Sequence, residues 1–137
     1  MARTQATISL TSADITGDPL NLTKTTLLTK AGTDTGLDEF TGITKRIYPA
    51  AVTDTVIAAD ADYASTTVAH KVYIANDTPD NLTSYITIEL EGNILLGRLY
   101  PGDFCFLPWA GTLDVMVTTV DPSVCIHYGV FSQSVAS

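Results

Sequence analysis

The chain has 137 residues, the size of one domain with room for at most a short additional arm. Its 15 acidic and 7 basic residues leave a formal charge of −8. Hydrophobic residues make up 45% of the chain, so it can build a core and is not a disordered acidic tail. The negative charge argues against nucleic-acid binding, because phosphate contacts need a basic surface.

The composition favours strands over helices. Threonine fills 22 positions and glutamate only 3, and branched or aromatic side chains pack well on a pleated surface. No apolar run approaches the roughly 20 residues of a membrane span, and no apolar core of a secretion signal follows Met1. We therefore expect no membrane association and folding in a reducing cytosol, with Cys105 and Cys125 as free thiols.

The N-terminal half predicts strands that are separated by polar segments. Residues 1–20 are expected to form either an extended arm or the first strand of the main sheet, because residues 7–10 have strand character. Residues 21–137 are then expected to form the main domain. Leucines spaced among threonines predict one or two strands over residues 20–28, and residues 31–40 predict an exposed loop. Residues 43–48 predict a strand, whereas residues 52–64 fit either a strand or a short helical turn.

The C-terminal half alternates apolar and polar residues between clusters of turn-forming residues. Turn signals recur about every ten residues, which is typical of an antiparallel sandwich or barrel. The connections are too short for crossover helices, which excludes a parallel α/β sheet. We therefore predict an all-β fold, an antiparallel β-sandwich of jelly-roll type with a possible extended N-terminal arm. The predicted strands are 70–75, 85–90, 94–99, 104–107, 113–118 and 124–131.

Candidate chemistry is sparse. The two histidines, His70 and His127, lie on predicted strands, where an inward-facing histidine is more often a hydrogen-bonded core residue than a ligand or base. With Cys105 and Cys125 they could make a zinc set, but no closely spaced ligand pair supports one. No serine stands between glycines as in a nucleophile elbow, and no glycine-rich phosphate loop is present. We expect no catalytic residues, no metal and no cofactor, and hence no enzyme.

A turn in the C-terminal half resembles one family. Residues 97–103, with Pro101-Gly102-Asp103 followed by Pro108, resemble the strand–turn–strand passage of cupins, which are jelly rolls. Cupin enzymes hold a metal with a His-x-His pair, a glutamate and a later histidine, and this chain lacks that pattern. The resemblance therefore supports the fold and argues against the metal chemistry.

A second resemblance covers more of the chain. The opening residues 1–4, the threonine-rich first half, residues 72–76, 86–88, 99–103 and 124–131 resemble small virion proteins of tailed bacteriophages, most closely head decoration (cement) proteins. The resemblance implies a homotrimer that binds the major capsid protein on the outer capsid surface, after synthesis in the host cytoplasm. There it would lock neighbouring shell subunits together against internal DNA pressure.

Such a protein needs surfaces that bind other copies and the shell. On the arm the candidates are the apolar residues and one cation, and an arm of this kind can add a strand to a neighbour. The alternative is that residues 7–10 belong to their own sheet. The aromatic residues near two predicted turns either cap the core or anchor a partner. The interface candidates are Arg3, Ile8, Leu10, Ile15, Tyr100, Phe104 and Trp109.

Two other functions remain open from the sequence. One is a carbohydrate- or receptor-binding module of a phage tail or knob, in which Trp109 and Tyr100 stack on a sugar ring. The other is a metal-free cupin-like enzyme or ligand-binding protein with a polar pocket around His70 and His127. Fold alone does not decide among these functions.

Overall fold

The computed structural model describes residues 4–13, 20–28, 39–63, 70–79 and 83–132. Over these residues the chain is almost entirely β-strand, and antiparallel sheets pack as a sandwich. The prediction of an all-β antiparallel β-sandwich is therefore confirmed. One helical turn, α1 (Asp60–Tyr63), occurs in the described part, and no helix there is long and apolar enough to cross a membrane.

The sandwich consists of two antiparallel sheets. The front sheet contains, in order of pairing, β4 (Thr44–Tyr48), β11 (Val124–Ser132), β6 (His70–Asn76) and β9 (Phe104–Trp109), and β3 (Glu39–Phe40) pairs with the far end of β11. The back sheet contains β5 (Thr55–Ala58), β10 (Val115–Thr119), β7 (Ile86–Leu90) and β8 (Ile94–Leu99). Strands β8 and β9 are therefore edge strands of different sheets.

The first two strands form a separate sheet, which we call the arm. Strands β1 (Thr4–Ser12) and β2 (Leu20–Leu28) pair antiparallel over all nine residues, from Thr4 opposite Leu28 to Ser12 opposite Leu20. The arm thus extends beyond the predicted 1–20 segment, because β2 pairs with β1 and with no strand of the sandwich. The main domain, predicted over 21–137, begins in the described structure at β3.

Alternation of side chains builds the core between the two sheets. Along β6, Val72 and Ile74 are fully buried, and along β7 Ile86 is as well, because every second side chain of a strand faces the opposite sheet. Ile126 of β11 and Val117 of β10 complete the fully buried centre. The apolar sets of both sheets therefore form one continuous core.

A buried asparagine joins three loops to this core. Asn76, at the end of β6, is fully buried, and its side-chain amide donates hydrogen bonds to the carbonyls of Ser84 (2.9 Å) and Leu99 (2.8 Å). Its side-chain oxygen accepts from the hydroxyl of Thr78 (2.7 Å) and from the Thr78 backbone N–H (3.2 Å). That hydroxyl accepts in turn from the backbone N–H of Cys125 (3.1 Å).

Several segments differ from the sequence prediction. Residues 39–40, predicted as the end of an exposed loop over 31–40, form β3, and the rest of that loop lies outside the described residues. The strand predicted at 113–118 begins two residues later, as β10. Residues 52–64 contain both alternatives, the strand β5 and the helical turn α1. The strand predicted at 104–107 continues through Pro108 to Trp109. A proline lacks the N–H that a ladder needs, and β9 tolerates it because its outer side is an unpaired edge.

Candidate functional site

The arm has one apolar and one polar face. In its register, even-numbered residues share a face, because directly paired residues point the same way. Ile8 and Leu22 on this face are each 47% exposed, so nothing in the described chain covers them fully. An isolated two-stranded ribbon is marginally stable in water. The apolar members of this face are Ala6, Ile8, Leu10, Leu20, Leu22 and Leu28; Thr4, Ser12, Thr26 and Lys24, which is opposite Ile8, share it.

The structure locates two of the predicted arm residues together. Ile8 and Leu10 are neighbours on the apolar face, whereas Arg3 and Ile15 lie outside the described residues. The leucines of β2 were not among the predicted interface residues. The signal that could have identified them is the alternation at Leu20 and Leu22, which matches that of Ile8 and Leu10.

A small apolar hollow, which we call the groove, opens at the edge of the sandwich. Its volume is about 310 Å³, and residues of β7, β8 and β9 and of the segment after β9 line it. Among the described lining residues, Thr112 is the only one whose side chain carries a hydroxyl group. Ligand pockets begin at about this size and usually carry several convergent polar groups. The main apolar lining residues are Leu90, Leu96, Leu107, Trp109 and Leu113.

Three carboxylates stand beside the groove. Asp60, Glu91 and Asp114 bring carboxylate oxygens within 4.8 Å of one another, and Asp114 Oδ1 accepts a hydrogen bond from the Asp60 backbone N–H at 2.7 Å. Glu91 and Asp114 directly follow the groove residues Leu90 and Leu113 in the chain. No ion pair to a basic side chain joins these acids in the described structure. Three like charges this close favour an incoming cation.

The outer face of the front sheet is aromatic. Phe40 stacks on Phe131 with ring centroids 4.2 Å apart, and Phe106 meets Phe131 edge-on at 5.7 Å. Tyr73 and Phe104 lie 6.4 Å apart on the same face. Strands β4, β6, β9 and β11 contain no aspartate or glutamate, although the whole chain carries a charge of −8. We call this surface the aromatic face. By strand register Lys45, Lys71 and His127 also lie on it, and His127 pairs there with Asp77, whereas Arg46, opposite Ile126, lies on the other face.

A glycine makes room for the stacked rings. A Cβ atom on Gly129 would lie 2.8 Å from Phe40 Cε1 and 2.9 Å from the carbonyl oxygen of Gly42. We expect Gly129→Ala to displace Phe40 and to lower the free energy of unfolding by about 2 kcal/mol, as overpacking typically does. Urea unfolding measures the change.

The matched control is Gly97→Ala in β8. A Cβ atom there meets nothing within 4 Å, so its stability should remain within about 0.5 kcal/mol of the native protein. Equal stability of the two variants would contradict the role assigned to Gly129.

The three aromatic interface candidates lie in different environments. Phe104 is 63% exposed on the aromatic face. Tyr100 is exposed and packs against Tyr85 at 5.5 Å, with the Arg98 guanidinium over the Tyr85 ring at 4.3 Å. Trp109 is only 6% exposed, so it caps the core, which was one of the two alternatives open from the sequence.

The histidines and cysteines do not gather into one site. His70 is buried, with Nδ1 2.9 Å from the Ser132 hydroxyl, whereas His127 is partly exposed and pairs with Asp77. In the register of β6 and β11, His127 is opposite Ala75, whereas His70 is opposite Ser132. Side chains alternate between the two faces along a strand, so Ala75 and His70, an odd number of residues apart, place the two histidines on opposite faces of the front sheet. Both cysteines are free thiols, and burial raises the pKa of the Cys105 thiol above its ordinary value. Within the described ranges, the group positioned to hold a metal is the three acids.

No protein-family model, no curated protein and no solved structure matches this chain. The described residues bring together an exposed apolar ribbon, an apolar groove with acids near it, and an aromatic sheet face. Contiguous exposed apolar surfaces commonly mark places where a protein contacts another molecule.

Proposed function

We propose that the protein is a non-enzymatic virion structural protein of a tailed bacteriophage. In this role it is a capsid decoration (cement) protein that binds the outer surface of the major capsid protein as a homotrimer and stabilises the shell. The observation that carries the proposal is the arm, whose apolar face is exposed in the single chain. A monomer gains nothing from an uncovered apolar ribbon, whereas a protein built for assembly does.

We also infer that the sandwich is a jelly roll. Strands β4 to β11 pair in the orders β4-β11-β6-β9 and β5-β10-β7-β8. Two interlocked Greek keys produce such orders, in which the first and last strands of the set are neighbours. The Pro101-Gly102 turn between β8 and β9 then connects the two sheets at one edge.

The aromatic face is the surface that best suits contact with the shell. It combines exposed rings with basic residues in a protein of net charge −8. Aromatic and cationic side chains are the groups that most often carry binding energy at interfaces. The acids elsewhere on the surface keep a concentrated coat component soluble before assembly and suit the outside of a shell that encloses DNA.

Binding to capsids tests the proposal. The native protein is expected to co-sediment with expanded empty capsids of the phage that encodes it and to raise their melting temperature. Phe104→Asp should weaken this binding by about tenfold or more, because it places a charge within the aromatic contact. The matched control is Val120→Asp, since Val120 is also more than half exposed but lies in the turn after β10.

Two outcomes would contradict the proposal. One is failure of the native protein to bind either expanded or unexpanded capsids. The other is binding to arrayed glycans that requires Phe104, without any binding to capsids. The second result would favour the carbohydrate- or receptor-binding module over the decoration protein.

A further inference from the structure

The arm and the groove are complementary surfaces carried by one chain. The arm presents a row of leucine and isoleucine side chains on one face of a ribbon. The groove and the neighbouring strand β8 present an apolar surface that nothing in the described chain covers. We propose that the arm of one copy packs its apolar face against the groove and β8 of a second copy, with Lys24 beside the three carboxylates.

Strand β8 is an unusual edge. Ile94, Leu95 and Leu96 are 48%, 68% and 49% exposed, and β8 pairs only with β7 within the described sheets. An exposed apolar edge strand invites pairing with another chain, and proteins normally protect such edges with charges, bulges or a covering segment. The pairing of β8 with β7 has one register irregularity, between Gly97 and Leu95, and β8 carries one charge, Arg98, but its three apolar residues stay exposed. A ribbon that covers these residues would complete the protection of the edge.

The size and polarity of the groove favour apolar protein side chains over a polar small molecule as its occupant. At about 310 Å³ it lies at the lower limit of ligand pockets. It offers the hydroxyl of Thr112 and little else to orient a polar ligand. Leucine side chains need no such partners, and Leu96 belongs both to the groove and to the exposed run of β8. One apolar ribbon could therefore cover the two surfaces together.

Charge complementarity favours the arm as the occupant of the groove. Lys24 is the only charged residue in the described part of the arm, and it lies on the apolar face two residues from Leu22. Residues two apart on a strand are separated by about 7 Å, so Leu22 can enter the groove while Lys24 reaches its rim. Glu91 and Asp114 each directly follow a groove residue in the chain, and an Asp60 carboxylate oxygen lies within 4.8 Å of theirs, so the three acids are close to the groove. None of them has a described basic partner.

The area indicates that each copy donates one arm and accepts another. A nine-residue ribbon is about 30 Å long and 10 Å wide, so one contact covers about 600 Å² on the two partners together. Stable interfaces bury at least about 1,200 Å², which one contact does not reach. In a closed ring each pairwise interface remains at about 600 Å², but every copy is then held by two such contacts, one given and one received, so that closure of the ring and not a single interface retains it.

This inference deepens the self-association within the proposed function but does not depend on capsid binding. Native mass spectrometry or light scattering measures the copies per particle, and capsid co-sedimentation measures the other property independently. Lys24→Glu is expected to weaken self-association by about tenfold or more, because it adds a fourth carboxylate at the rim. Glu91→Lys should restore assembly when it is combined with Lys24→Glu.

The arm offers a matched pair of variants on one strand. Leu22→Asp lies on the apolar face and should dissociate the assembly, whereas Thr25→Asp lies on the polar face and should leave the mass unchanged. Both residues are exposed in the single chain, so neither change should alter the melting temperature of the sandwich.

Cross-linking distinguishes exchange between copies from docking within one chain. When Leu22→Cys and Leu96→Cys proteins are mixed and oxidised, a disulfide-linked dimer is expected, whereas Thr23→Cys with Leu96→Cys should give none. An unchanged mass in Leu22→Asp and Lys24→Glu would overturn the inference and leave the decoration function standing. A monomeric native protein would overturn it as well.

Discussion

Replacing Asn76 with alanine is expected to lower the free energy of unfolding by about 4 kcal/mol, a large part of the stability of a domain of this size. The side chain is fully buried and makes four hydrogen bonds, two as donor and two as acceptor. Its loss leaves the carbonyls of Ser84 and Leu99 buried without this donor. Urea unfolding followed by circular dichroism measures the change.

Two further variants distinguish the hydrogen bonds that the Asn76 side chain donates from those that it accepts. Asn76→Asp keeps an acceptor for Thr78 but removes both donated bonds and adds a buried charge, so it should be at least as destabilising at neutral pH. Thr78→Val removes only the hydroxyl and should cost about 1–2 kcal/mol. A loss below about 1 kcal/mol in Asn76→Ala would contradict the proposed joining of three loops.

Trp109→Ala is expected to be comparably destabilising, at about 4 kcal/mol. The ring is 6% exposed, belongs to the core cluster and lies 5.8 Å from the His70 ring. Its indole N–H donates to the carbonyl of Leu113 at 2.8 Å. Truncation would therefore leave a cavity and a broken hydrogen bond. Thermal and urea unfolding are the appropriate measurements.

Trp109→Phe serves as the control for this site. It retains most of the apolar volume and removes the hydrogen bond to Leu113, so the expected cost is about half that of alanine or less. Equal costs would mean that the hydrogen bond and not the packing dominates. Because Trp109 supports the fold, Phe104 is the better residue to substitute when ligand binding is measured.

Local pattern was sufficient to locate most strands of the C-terminal half. Residues 94–99 were predicted with the bounds that β8 has, and the strand predicted at 85–90 begins one residue later, as β7. Strict alternation reports which side of a strand faces the core, and glycine or proline reports where it turns. Gly102, with φ of 93°, occupies the positive-φ position that its turn requires.

The local sequence did not predict which distant segments pair with each other. Leu20, Leu22 and Leu28 predicted a strand, but their partner in β1 is set by register and not by local sequence. Residues 76–81 are turn-forming residue types, so the sequence predicted an exposed turn there and did not indicate that Asn76 is a core residue. Its partners Ser84 and Leu99 are 8 and 23 residues away.

The candidate site was predicted only in part for the same reason. Ile8, Leu10, Tyr100 and Phe104 are exposed in the single chain, and their role in an interface stays a prediction. The groove combines residues of β7, β8 and β9 with the segment after β9, and the three acids come from α1, from the turn after β7 and from the residue before β10. The sequence showed acids in loops, but only the folded chain brings Asp60 to Glu91 and Asp114.

The buried amide of Asn76 also constrains how the protein can be produced. Asn76-Asp77-Thr78 matches the acceptor sequence for N-linked glycosylation. In a eukaryotic secretory pathway an oligosaccharide attached to this nitrogen during translation could not be enclosed by the sandwich. In such a glycoform the Asn76 side chain could not make the buried hydrogen bonds that join the three loops. Bacterial expression therefore preserves a fold that eukaryotic secretion would prevent.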